Sequence, residues 1–250
     1  MADRVPILAY HAIVEDARRY LPQQWSAEHA VSLEQFRNQL DVLVAEGWNT
    51  ILPEALMQSS LPPKSVVITF DDGHSSDVVA ARELNQRGLP AAFFVTWSRL
   101  GHSSFLNRKQ VVELKERGFE IGSHGWAHVP LAQLSPAELK RHLTVSKQRL
   151  EALLGEPVNA LAAPFGSYND AVVAWAVAAG YRRMMTSQFG LAIAGSYQLA
   201  RLPVDARTTL KDFRALLSGG WLGLTRRRLI HGLRRRVLRL REMGGYEFSH

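Results

Sequence analysis

The sequence predicts an α/β fold built on a mainly parallel sheet, and three observations carry that prediction. Short β-branched and apolar runs alternate with amphipathic stretches of helical period along most of the chain, the pattern of repeated βα units. At 250 residues, 46% hydrophobic and 21% charged, the chain has enough apolar material for one sizeable core, and its composition excludes a disordered polymer. No internal repeat, low-complexity tract or linker precedes Gly219-Gly220. One domain over residues 1–220, followed by a tail over 221–250, is the simplest organisation.

The elements follow in order. Val5 to Tyr10 reads as a strand. Leu33 to Glu46 places Phe36, Leu40, Leu43 and Val44 at helical spacing and stops at Gly47. Val66 to Phe70 is a near-continuous apolar strand ending at Asp71-Asp72-Gly73, and the helical stretch after it reaches Arg87 before Gly88 and Pro90. Ala91 to Thr96 is the next strand, Lys109 to Arg117 a helix closed by Gly118, and Phe119 to Ile121 a short strand. Ser135-Pro136-Ala137-Glu138 opens a long helix with Ser at the N-cap and Pro in the first turn, running to about Leu154. Ala160 to Ala163 is a strand, Ala171 to Ala179 a helix and Arg182 to Thr186 a further strand.

The chain has no cysteine, which excludes disulfides, thiolate metal sites and cysteine nucleophiles; a metal here must use histidine and carboxylate. Thr69-Phe70-Asp71-Asp72-Gly73 sets two carboxylates at the carboxyl end of a buried strand, where α/β proteins gather their sites. Adjacent strand residues face opposite sides, so Gly73 is expected to turn the chain and bring both acids to one cleft. Asp-Asp-Gly is also an ordinary turn sequence. Ser123-His124-Gly125-Trp126-Ala127-His128 follows a short strand and spaces two imidazoles four apart, as on one face of a helical turn. Two histidines and one carboxylate, with a position left for water, form the ligand set of hydrolytic zinc sites. Asp72 would complete that set and leave Asp71 as a base.

With these residues in view, the chain resembles the polysaccharide deacetylase family of carbohydrate esterases over roughly residues 5–217. The likeness rests on Thr69 to Gly73, the His124/His128 pair and Ala162-Ala163-Pro164-Phe165-Gly166. It implies a distorted (β/α) barrel of about seven strands. It also implies Asp71 as general base, and Asp72, His124 and His128 as ligands of a divalent metal, most often Zn²⁺, with Co²⁺, Ni²⁺ or Mn²⁺ as alternatives. The backbone N–H of Phe165 is the implied oxyanion donor. The family commonly has an Arg where Ala162 stands, and Arg201 is a candidate to supply that charge from another loop, or to contact substrate. The usual Leu-x-x-His near the carboxyl end is absent. Leu8-Ala9-Tyr10-His11 has that form at the front, an arrangement similar to deacetylases of poly-N-acetylglucosamine exopolysaccharides. His11 becomes the candidate acid, because the first and last strands of a closed barrel are neighbours. His74, beside the acid pair, and Trp126, between the histidines, are candidate substrate contacts.

The expected activity is removal of N-acetyl groups from amino sugars of a poly- or oligosaccharide, with release of acetate. A glycan-binding protein with a decayed site, and a metal-dependent amidase or esterase on another acylated substrate, are the alternatives. The net charge of +7 is concentrated in residues 221–250, where eight Arg face two Glu for a net of +6. With Leu229, Leu233, Val237 and Leu240 on one side, this segment reads as a basic amphipathic helix for an anionic membrane surface or for docking on the domain. Nucleic acid is not expected, since no recognition motif accompanies the charge. The chain start lacks a signal-peptide pattern, so the expected location is the cytoplasm, at the inner face of the membrane if the tail binds there.

Overall fold

A computed structural model describes residues 3–15, 29–58 and 60–220. The proposed basic tail lies outside the described residues. The strands are β1 (Arg4–Val5), β2 (Ile7–Tyr10), β3 (Ala12–Val14), β4 (Ala30–Ser32), β5 (Asn49–Thr50), β6 (Ser65–Phe70), β7 (Ala92–Val95), β8 (Glu120–Ser123), β9 (Ala160–Ala162), β10 (Arg183–Phe189), β11 (Ala192–Ile193) and β12 (Gln198–Pro203). The helices are α1 (Leu33–Ala45), α2 (Asp77–Gln86), α3 (Arg108–Glu116), α4 (Pro136–Leu154), α5 (Asp170–Ala178) and α6 (Leu210–Leu217). None of the described helices is long and apolar enough to cross a membrane.

Seven strands in the order β2-β12-β10-β9-β8-β7-β6 form a parallel sheet, and β6 pairs back with β2, closing it into a barrel. Strand β5 adds to the rim beside β6, at Asn49↔Ser65. The antiparallel β1–β11 pair sits at the amino-terminal end. The period-2 alternation of every barrel strand separates two apolar layers. Ile7, Val67, Ala92, Phe94, Ala160, Ala162, Met185 and Leu199 share the inner cluster. Their chain neighbours Leu8, Ile68, Phe93, Leu161 and Met184 join the layer beneath the helices. Gly122 faces inward on β8, where a Cβ would lie 2.4 Å from two atoms of the Phe94 ring; the aromatic occupies the volume a larger residue would need.

Local chemistry explains the boundaries. Asn107 and Ser135 each cap a helix through a reciprocal capping box, with Pro136 at the first turn of α4 and Gly155, at φ 70°, ending it. Pro6 divides the first strand into β1 and β2, because it has no N–H for the ladder and offers only its carbonyl, to Val67 N at 3.0 Å. Strand β12 is the barrel strand that the sequence reading leaves as a loop. Its Gln, Arg and Pro obscure the alternation, and only pairing with β10 and β2 makes it a strand.

Candidate metal centre and active site

Asp71 and Asp72 follow β6, and both reach the cleft at the carboxyl end of the barrel. The turn that aims them starts one residue earlier than Gly73: Asp72 itself has φ 79° and Gly73 has φ 73°. A left-handed conformation at a residue with a Cβ is strained, and such strain persists where the surroundings fix it. Here the loop is held down by close packing of Gly73 on Val95 and by Leu106 N donating to Gly73 O at 2.9 Å. The histidine loop differs from expectation in a similar way. Residues 124–128 form no helix; a bend at Gly125, with φ 79°, brings the two imidazoles together at a centroid distance of 5.2 Å.

Asp72 Oδ1 lies 3.3 Å from His124 Nε2 and 3.0 Å from His128 Nε2. The three ligand atoms fall within 4.8 Å of one another. Oδ1 is buried and makes no hydrogen bond of acceptable geometry among the described residues, so three lone-pair donors converge without satisfying each other. That arrangement fits a divalent cation with two nitrogen ligands and one oxygen ligand. Burial raises the pKa of Asp72, but the His128 and His124 imidazoles outweigh it and hold the carboxyl well below the ordinary range. Burial lowers the pKa of His128, which favours the neutral ring that a metal requires.

Asp71 has a different partner. Arg201, in the middle of β12 and not on a loop, donates from Nη1 to Asp71 Oδ1 at 2.7 Å and from Nη2 to Oδ2 at 2.6 Å. Its remaining donors reach Thr69 Oγ1 and Thr186 O. Arg201 is 4% exposed, so it is withdrawn from substrate and acts as the charge partner of Asp71; Ala162 on β9, small and inward-facing, leaves that task to β12, two strands away across β10. Burial pushes the Asp71 pKa up, and the Arg201 charge and paired hydrogen bonds, helped by His124 and His11, bring it below the usual value. Asp71 is therefore ionised and oriented at neutral pH.

His11 follows β2 in register: Tyr10 pairs with Phe70, and Asp71 N donates to Tyr10 O at 3.0 Å. This sets His11 opposite Asp71, with β12 as the other neighbour of β2. Burial is the main reason that its pKa falls to about 4; Asp72 and Asp71 oppose that shift, and His29 and Arg201 add to it. The resting imidazole is neutral. His29, which the sequence leaves without a role, lies with its ring centred 5.2 Å from that of His11 and tilted by 52°.

Phe165 has φ 56° and ψ 7° in the turn Pro164–Gly166. Its ring is 43% exposed, centred 4.2 Å from the His128 ring, and its amide donates no hydrogen bond among the described residues. Trp126 is half-buried, joins neither apolar cluster, and accepts from Ser98 N at 2.8 Å through its carbonyl. His74, in contrast, turns away from any substrate surface. It is buried, and its Nδ1 meets the Ser76 hydroxyl at 2.8 Å, because the tight turn after Gly73 folds it against the start of α2.

Two supports lie beyond the reach of sequence motifs. The Gly125 amide donates to Ser123 Oγ, Ser123 to Ser146 Oγ on α4, and Ser146 to Leu143 O, each at 3.1 Å, with the Tyr181 hydroxyl closing the group. This chain ties the histidine loop to α4. The Asp77 carboxyl is buried with no hydrogen-bond partner among the described residues; burial, then Asp72 and Asp71, hold its pKa well above normal.

A family model described as "Polysaccharide deacetylase" matches residues 58–184, half of the chain. The chain is 28% identical over 148 residues to a chitin deacetylase of Pestalotiopsis sp, covering 54% of this chain and 49% of that protein. It is 32% identical over 129 residues to a peptidoglycan-N-acetylglucosamine deacetylase of Bacillus cereus, covering 50% and 57%. It thus spans about half the length of these two relatives. Among solved structures, the deacetylase PplD of Streptococcus pyogenes in complex with acetate superposes with a TM-score of 0.78 at 27% identity, over 87% of this chain and 99% of that one.

Proposed function

Because the chain belongs to the polysaccharide deacetylase family, we propose that this site hydrolyses N-acetyl groups of amino sugars in a poly- or oligosaccharide, releasing acetate. The observation that carries the reading is the division of labour between two adjacent acids, Asp72 converging with His124 and His128 while Asp71 is held ionised by Arg201. Asp72, His124 and His128 would hold a divalent cation, with Zn²⁺ the best match to two nitrogens and one oxygen, which when bound would supply a Lewis acid for the acetyl oxygen and lower the pKa of water in the cleft.

Asp71, deprotonated and locked by two hydrogen bonds, takes the proton as water attacks the amide carbon. The Phe165 amide, which has no partner among the described residues, serves the developing oxyanion, a donor of the kind worth about 3–4 kcal/mol in the transition state. His11 delivers the proton to the departing amine. Since its resting ring is neutral, His11 first takes up the proton that Asp71 removes from water, as negative charge on the intermediate raises the basicity of the neighbouring imidazole. The products are acetate and a free amino sugar.

The test is acetate release from an N-acetylglucosamine oligomer, assayed with metal, after chelation, and after Zn²⁺ is restored. Activity should vanish on chelation and return with the metal. Turnover that survives full metal removal would exclude this mechanism.

A further inference from the structure

The ring of helices around the barrel is open at one place. Of the barrel strands, β10 alone is followed by another barrel strand with no helix between them, since only β11 separates it from β12. Elsewhere neighbouring helices meet: Arg214 of α6 pairs with Glu46 at the end of α1, and Lys140 of α4 lies 5.5 Å over Trp175 of α5. No described helix lies between α5 and α6. The chain beside this seam is almost free of charge, for residues 171–181 and 184–200 contain no Asp, Glu, Lys or Arg. A helix that is apolar on every side is normally covered, yet on α5 Ala171, Ala174 and Ala178 are exposed and Val177 is 54% exposed. Val172 and Ala176 are its buried residues, and Trp175 marks the side toward α4. Val173 and Val177 lie roughly half a turn around the helix from Trp175, on the side of the seam. Across it, Ala200 points outward from β12, because Leu199 and Arg201 point inward. Leu191 and Tyr197 are half-buried at the margin of the layer beneath the helices.

The described chain ends at this seam. Gly219 is seated on Leu191, where a Cβ would come within 2.9 Å of Leu191 Cδ1, and residues 221–250 continue from there. Leu229, Leu233, Val237 and Leu240 give that segment an apolar side, with most of its Arg on the other. A helix from Leu229 to Leu240 spans about 18 Å, enough to run the length of α5. The alanines and valines of α5 leave room for leucine side chains to seat between them, and the tether at Gly220 holds the segment near the face at an effective concentration of about millimolar. The connection 16–28 is anchored elsewhere, at both ends of the β3–β4 pair that lies against α1 and α2. We propose that residues 221–250 dock on their own domain, the apolar side closing the seam between α5 and α6 and the arginines turned to solvent.

Hydrogen–deuterium exchange on the full chain, alone in solution, is the test. Amides of residues 229–240 should exchange roughly tenfold or more slowly than in a free peptide of residues 221–250. Val177→Lys should return them toward the peptide rate. Leu233→Lys should speed exchange both there and in residues 171–178, because the two changes act on one shared contact. Val44→Lys, at a position on α1 with the same 54% exposure, should alter neither segment. Peptide-like exchange of 229–240 in the full chain, or protection that Val177→Lys leaves intact, would overturn the docking. Protection that appears only on vesicles of phosphatidylserine and phosphatidylcholine would overturn it in favour of a membrane surface. Protection found only at concentrations where the chain sediments as a dimer would overturn it in favour of a second copy.

Discussion

Asp71 and Asp72 are neighbours in sequence yet occupy opposite electrostatic situations, since one faces a guanidinium and the other two imidazoles. Their replacements should separate accordingly. Asp71→Asn should lower turnover by roughly 10²–10⁴-fold with metal content unchanged, and His124→Ala should lose both, as read by acetate assay and elemental analysis on the same samples. Arg201 should show itself in the pH profile. With the guanidinium present the Asp71 pKa lies below normal, so the base is available down to acidic pH. Removing the charge leaves burial opposed only by His124 and His11, raises that pKa and moves the acid limb of kcat/KM upward. Arg201→Gln should therefore lose far more activity at pH 6 than at pH 8, with partial recovery in Arg201→Lys; an unmoved acid limb would show that Asp71 is not the titrating base.

At the scale of elements, β8 and α4 act together. Strand β8 presents His124 into the cleft, and its outward neighbour Ser123 bonds to Ser146 on α4, so the helix fixes the loop that carries both imidazoles. Ser146→Ala removes that tie while leaving the ligands in place, and Zn²⁺ affinity measured by titration should weaken by roughly tenfold. Tyr181→Phe, which keeps the ring, should weaken it less. On the inner side, Gly122→Ala would drive a methyl into the Phe94 ring, at a cost of about 1–3 kcal/mol visible in thermal unfolding. Pairing it with Phe94→Leu makes room, and the double variant should recover part of the loss.

At the scale of the molecule, barrel closure assembles the site. β2 lies between β6 and β12, which brings His11, Asp71 and Arg201 together from segments up to 190 positions apart in the chain. The cluster of Asp72, His124 and His128 leaves Asp72 Oδ1 buried with no hydrogen bond among the described residues, so a cation held there should make the protein distinctly more stable. At free metal about 1,000 times the dissociation constant, the gain is about 4 kcal/mol, and chelation should lower Tm by several degrees. An unchanged Tm would mean that Asp72, His124 and His128 do not hold the ion.

The sequence by itself determined the alternating α/β elements, the two adjacent acids and the histidine pair, because periodicity, glycine stops and short motifs are local properties of the chain. Val66 to Phe70 and the Ser135-capped helix were legible for that reason. Strand β12 was not, since a segment containing Gln198, Arg201 and Pro203 becomes a strand only through its partners. Only the tertiary structure decided that Arg201 serves Asp71, that His74 is sealed inside a turn, that His29 meets His11, and that Ser146 and Tyr181 steady the histidine loop. Each of these depends on which strands become neighbours, and strand pairing across a closed barrel is set by the packing of the whole core and not by any one segment.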